Sequence, residues 1–89
     1  MLCGVEAING AMLDVLLTLH VRGVLQVAVL AREAGLPTPI AAQALRRLTV
    51  LGLTETTEDI RHRLTPAGSA MAGPIAEKVR QIVATALSV

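Results

Sequence analysis

Gln43, Arg46 and Arg47, with Arg61 and Arg63 further along, carry the polar chemistry most open to specific use in this sequence. A carboxamide can pair with the two polar atoms on the edge of adenine, and a guanidinium fork can pair with guanine or phosphate. The first three side chains sit in the stretch 36–52, LPTPIAAQALRRLTVLG. Ile40, Ala41, Ala44, Leu45, Leu48 and Leu51 recur there at helical spacing as one apolar stripe, and Pro39, Ala42, Gln43 and Arg46 fall on the opposite side. Thr38 reads as an N-cap, Pro39 as the first helical residue and Gly52 as the stop. A short helix with its back on a small core and two consecutive arginines outward has the physical form of one that enters the major groove of DNA. The same pattern also describes a core helix with a solvated outer side.

Nothing is spaced for catalysis. The sequence has no cluster of Cys and His at metal-ligand intervals, no glycine loop for phosphate and no nucleophile with a nearby His and acid. No cofactor, metal or enzymatic activity is therefore expected. Cys3 lies at a terminus expected to fray, and His20 at a helix end reads as a surface residue favoured by the macrodipole. His62 reads as a half-buried packing residue in a strand.

The 89 positions suit a single domain near the size at which chains often oligomerise. The apolar fraction of 53% is high for so small a chain, so a second subunit is expected to cover part of it. Glu6, Asp14, Arg22, Arg32 and Glu33 interrupt every apolar run before a membrane-spanning length is reached, which favours a soluble oligomer. The absence of a signal peptide pattern and the single cysteine point to the cytoplasm. A net charge of +1 argues against strong non-specific nucleic-acid binding, and the lack of Phe, Tyr and Trp removes platforms for stacking single-stranded bases. Duplex DNA remains open.

The periodicity predicts a helix from Glu6 to about His20, with Ile8, Met12, Val15, Leu16 and Leu19 on one face. Val5, Leu13 and Leu17 form a second stripe beside it, and Gly10 inside the helix suggests a close backbone approach. Val24 to Gln26 is read as a short edge strand, and Val27 to Ala34 as a helix with Leu30, Ala31 and Ala34 inward, ended by a left-handed Gly35. After Gly52, Leu53 to Thr56 and Ile60 to Leu64 read as a hairpin about a polar turn at 57–59. Its alternation puts Ile60, His62 and Leu64 on one face and Arg61 and Arg63 on the other. Thr65 and Pro66 start a last helix, expected to kink or break at Gly73 and Pro74. It then resumes from Ile75 to about Leu87, with Ile75, Val79, Ile82, Val83, Ala86 and Leu87 as an apolar stripe for a partner subunit.

The expected fold is mainly α with a small β-hairpin, and this order resembles a winged helix-turn-helix domain. LAREAGL at 30–36 is similar to the second helix and its turn, ALRRLTVLGLTE at 44–55 to a recognition helix entering the first wing strand, and RLTPAG at 63–68 to the second wing strand entering a dimerisation helix. Bacterial and archaeal regulators of the MarR, ArsR and PadR type share this layout. The resemblance covers 13–68 and records a fold rather than a chemistry. It implies one winged-helix domain over 1–89, a recognition helix at 38–51, a wing at 53–64, a dimerisation helix at 66–88 and a second dimerisation helix at the N-terminus. It further implies a dimeric regulator of duplex DNA, with Thr38, Pro39, Ala42, Gln43 and Arg46 facing the major groove, Arg47 on its flank, and Arg61 and Arg63 near phosphates. No effector pocket is indicated. The acids Glu55, Glu58 and Asp59 depart from the basic wing of DNA-binding members and suit the alternative, a winged-helix protein-interaction or dimerisation module.

Overall fold

The computed structural model describes residues 8–88. Helix α1 spans Gly10–Arg22, starting where the Asn9 side chain accepts the Met12 N–H at 2.9 Å. Asparagine at this position satisfies a donor that the helix leaves open, so the helix begins after Asn9 rather than at Glu6. Glu6, Val5 and Cys3 lie outside the described residues. Gly10 is thus the first helical residue and not an interior one, and among the described residues a Cβ there would meet nothing. Met12, Val15, Leu16 and Leu19 are buried on one face as their spacing requires, with Leu13 and Leu17 half-buried beside them.

Helix α2 (Val27–Ala34) and helix α3 (Thr38–Val50) end in the same way. Gly35 and Gly52 adopt φ of 72° and 77°, a left-handed conformation that costs glycine little. The next amide then folds back, Leu36 N–H to the Ala31 carbonyl and Leu53 N–H to the Leu48 carbonyl, both at 2.9 Å. At the start of α3 the cap is Pro37, not Thr38. The proline ring sets φ near −59° with ψ extended, and its carbonyl accepts the N–H groups of Ile40 and Ala41 at 3.0 Å. Thr38 therefore enters the first turn, and Pro39 follows it at a position whose N–H has no helical partner to lose.

The core forms where α1 packs across α2 and α3, and it joins Met12, Val15, Leu16, Leu19, Leu30, Ala44, Leu45, Leu48 and Leu53. Each large aliphatic side chain buried there contributes roughly 1.5 to 3 kcal/mol. Strands β1 (Thr54–Thr56) and β2 (His62–Leu64) pair antiparallel, with Glu55 opposite Arg63 and Thr56 opposite His62. The strand expected at Val24 to Gln26 is reduced to a single bridge, in which Leu25 and His62 exchange backbone hydrogen bonds of 3.0 and 2.8 Å. Ile60 does not join the inward face of β2. The turn closed by the Thr57 N–H on the Arg61 carbonyl at 2.8 Å holds Ile60 at φ 60° and leaves it 73% exposed, so β2 begins only at His62.

Helix α4 runs unbroken over Pro66–Leu87, 22 residues, with Pro74 inside it. The expected break is absent because Ala70, whose carbonyl loses its donor, and Pro74 are both exposed, and water can satisfy that oxygen. At its start the Thr65 hydroxyl accepts the Gly68 N–H at 3.0 Å and donates to the Gly52 carbonyl at 2.6 Å. Gly68 presses on the Leu53 carbonyl so closely that a Cβ would overlap the oxygen. Gly68→Ala should accordingly cost about 3 kcal/mol or abolish the native state, because backbone rather than a flexible side chain blocks the methyl group. Urea unfolding followed by circular dichroism measures it, and a loss below about 0.5 kcal/mol would show that the junction yields.

Candidate nucleic-acid interface

Ala41, Ala44, Leu45 and Leu48 anchor the back of α3. At 100° per residue Ile40 and Leu51 lie roughly 70 to 90° from the centre of that stripe, and they are 41% and 42% exposed rather than buried. They share a flank with Arg47. The outward line runs through Pro39, Gln43, Arg46 and Val50, all exposed, and Thr38 is exposed in the first turn. Ala42 lies on the other flank, half-buried in a groove of about 420 Å³ between α3, the start of α2 and the wing, lined also by Val27, Arg46, Thr49, Thr56 and His62. The structure thus brings Pro39, Gln43 and Arg46 onto one surface, with Ala42 and Arg47 at its two margins.

Val50, 87% exposed, was not singled out by its residue type, although its seven-residue spacing from Gln43 places it on the same line. Thr49 and Thr54 also carried no signal. Their hydroxyls lie 2.9 Å apart and join the last turn of α3 to the base of the wing, where Thr54 is only 1% exposed.

The cations differ in surroundings. Arg46 and Arg47 have no ion-pair partner among the described residues. Arg61 and Arg63 point outward as the alternation predicts, but Arg61 Nε lies 3.2 Å from an Asp59 carboxylate oxygen and Arg63 Nε donates to Glu55 Oε2 at 2.7 Å. The Thr57 hydroxyl donates to Asp59, and this bond, with smaller help from the backbone and Arg61, holds the Asp59 carboxyl below the usual range. Among the described residues no three His, Cys, Asp or Glu gather as metal ligands, and no helix is long and apolar enough to cross a membrane.

No protein-family model and no curated protein sequence matches this chain. Solved structures do match the backbone. A MarR family transcriptional regulator from Silicibacter pomeroyi superposes with TM-score 0.86 at 20% identity, over 96% of this chain and 63% of that one. A MarR family regulator from Neisseria meningitidis gives TM-score 0.83 at 24% identity, over 96% of this chain and 64% of that one. The fold is the MarR-type winged helix. Bordetella bronchiseptica BpsR, whose DNA binding is regulated by 6-hydroxynicotinic acid, shares the winged helix with TM-score 0.77 and 19% identity, over 90% of this chain and 62% of its own. The chain spans less than two thirds of the length of each of these proteins. Within the winged helix, α2 and α3 form the helix-turn-helix and the β1–β2 hairpin forms the wing.

His62 sits where wing and α3 meet, its Nδ1 3.4 Å from the Thr56 hydroxyl, and burial pushes its pKa below the ordinary 6.5. Arg46 on the same groove adds no attraction for a second cation. A base whose folded pKa is depressed takes up its proton more readily in the unfolded chain, so the stability tied to neutral His62 is complete above about pH 6.5 and is lost as pH falls through the depressed folded value. The thermal midpoint should drop on going from neutral to mildly acidic pH, and His62→Gln should flatten that part of the profile. An unchanged profile in the variant would assign the pH dependence elsewhere.

Proposed function

We propose that this chain is the winged-helix portion of a dimeric transcriptional regulator that binds duplex DNA and acts in the cytoplasm as a binding protein, not an enzyme. The observation that carries this reading is the outward line of α3, where Gln43 and Arg46 stand exposed on a helix whose back is fixed in the core. The likeness to MarR-type structures supports it. In this reading Thr38, Pro39, Ala42, Gln43 and Arg46 face the major groove, Arg47 meets the backbone on the flank, and Arg61 and Arg63 stand by the neighbouring phosphates. Small residues at positions 39 and 42 let the helix approach base edges, and the amide of Gln43 pairs with adenine while Arg46 pairs with guanine or phosphate.

The dimer is proposed on the apolar stripe of α4. Val79, Ile82, Val83 and Leu87 are 45%, 62%, 49% and 81% exposed, a run of aliphatic surface that a lone small chain would leave in water. A second copy packed on the same stripe, together with the N-terminal helix α1, covers it and gives the symmetric pair that a palindromic DNA site requires.

Gln43→Ala should cost about 1 to 3 kcal/mol at one base position and relax the preference there, whereas Arg47→Ala should weaken all duplexes alike and flatten the dependence on salt. Fluorescence anisotropy at two salt concentrations separates these outcomes, and unchanged binding in both variants would remove α3 from the interface. Light scattering after size exclusion should give twice the chain mass, reduced to a monomer or lost to unfolding in Val79→Asp. A wild-type monomer at micromolar concentration would overturn the dimer.

A further inference from the structure

The wing presents its cations already bound. The antiparallel register sets Glu55 directly across from Arg63, so the 2.7 Å contact between them is made by two side chains whose backbones are fixed by the hairpin. Arg61 is held in the same way by Asp59 in the tip turn, and Glu58 has no ion-pair partner among the described residues. From Thr54 to Leu64 three carboxylates face two guanidinium groups, so the wing is net negative with His62 neutral. Arg46 and Arg47, by contrast, stand on a helix that contains no acidic residue. Arg46 and Arg47 thus stand free of the carboxylates that hold the two wing arginines.

We propose that Glu55 is a positioning residue that sets DNA specificity through Arg63, holding its guanidinium on the wing so that its phosphate contact is weakened and binding depends mainly on α3. This rests on the duplex-DNA reading above. A phosphate approaching Arg63 must displace a carboxylate at hydrogen-bond distance and then lies beside the freed Glu55, so the exchange of one anion for another releases little counterion. Contacts that any sequence can offer are weakened by this arrangement, and base contacts from Gln43 and Arg46 are left undiluted. Glu55 therefore lowers affinity for mixed sequence more than affinity for the preferred site.

The test uses the whole chain, a labelled duplex of mixed sequence and a duplex selected by the wild-type protein from a randomised pool. Glu55→Gln keeps shape and removes charge; it should bind the mixed duplex about fivefold tighter, with a salt slope steeper by about one phosphate, and should narrow the gap between the two duplexes. Arg63→Ala should cost the wild type less than Arg47→Ala does, and in the Glu55→Gln background it should cancel the gain, a coupling that a structural role for Glu55 would not produce. If the wild type binds and selects duplex while Glu55→Gln leaves affinity and salt slope unmoved, the latch is overturned and the DNA reading stands. Loss of wild-type affinity in Arg63→Ala equal to that in Arg47→Ala also overturns it. If neither wild type nor Glu55→Gln binds any duplex, both readings fall together.

Discussion

The backbone of Leu53 is where the recognition helix, the wing and the last helix are joined. Its N–H closes the end of α3 on the Leu48 carbonyl, and its own carbonyl accepts the Thr65 N–H at 3.0 Å while lying under Gly68. One residue earlier, the Gly52 carbonyl takes the Thr65 hydroxyl. A single dipeptide thus fixes where α3 stops, where β1 starts and how α4 leaves the hairpin. The side chain of Leu53 sits in the core beside Leu48, so the same point also anchors the junction to the packed interior. Shift it, and the outward line of α3 and the wing lose their common frame.

The parts of the fold legible from residue order are those decided within a few positions. Gly35 and Gly52 mark left-handed stops, and Thr65 before Pro66 marks a start, because the chemistry that ends or begins a helix there is local. The prolines around α3 misled for the same reason in reverse. Pro37 and Thr38 both qualify as caps, and which one serves is decided by whose carbonyl meets the first free amides. Residue type alone places Ile60 in the strand, because it says nothing of the turn from Thr57 to Arg61, which forces a positive φ on a β-branched side chain. Pro74 by residue type predicts a kink or a break in α4, and the helix continues through it because Ala70 and Pro74 are exposed, a fact that residue order does not carry.

The exposed face of α3 was readable in outline, since helical period alone separates Gln43 and Arg46 from the buried alanines and leucines. The wing was not. Glu55 and Arg63 are eight positions apart, and only the register of the hairpin reveals that they touch. Charge tallies made along the chain treat these two groups as one attraction and one repulsion toward an external phosphate; paired across strands, they largely answer each other. The Thr49 and Thr54 hydroxyls give the same lesson, being ordinary polar residues in order and a link between two elements in space.

Pro74 also divides α4 by mechanical character. No described residue beyond Ala72 is buried, so the first turns of the helix are clamped to the core while the remainder extends away from it. The proline lies at the boundary between these two portions and removes one rung of the hydrogen-bond ladder there. Bending stiffness is therefore lowest where the anchored part hands over to the free part. α4 behaves as a lever with a compliant joint near its fulcrum, so small changes of angle between the outer helix and the winged-helix body can be taken up at that point without disturbing the packed residues that precede it.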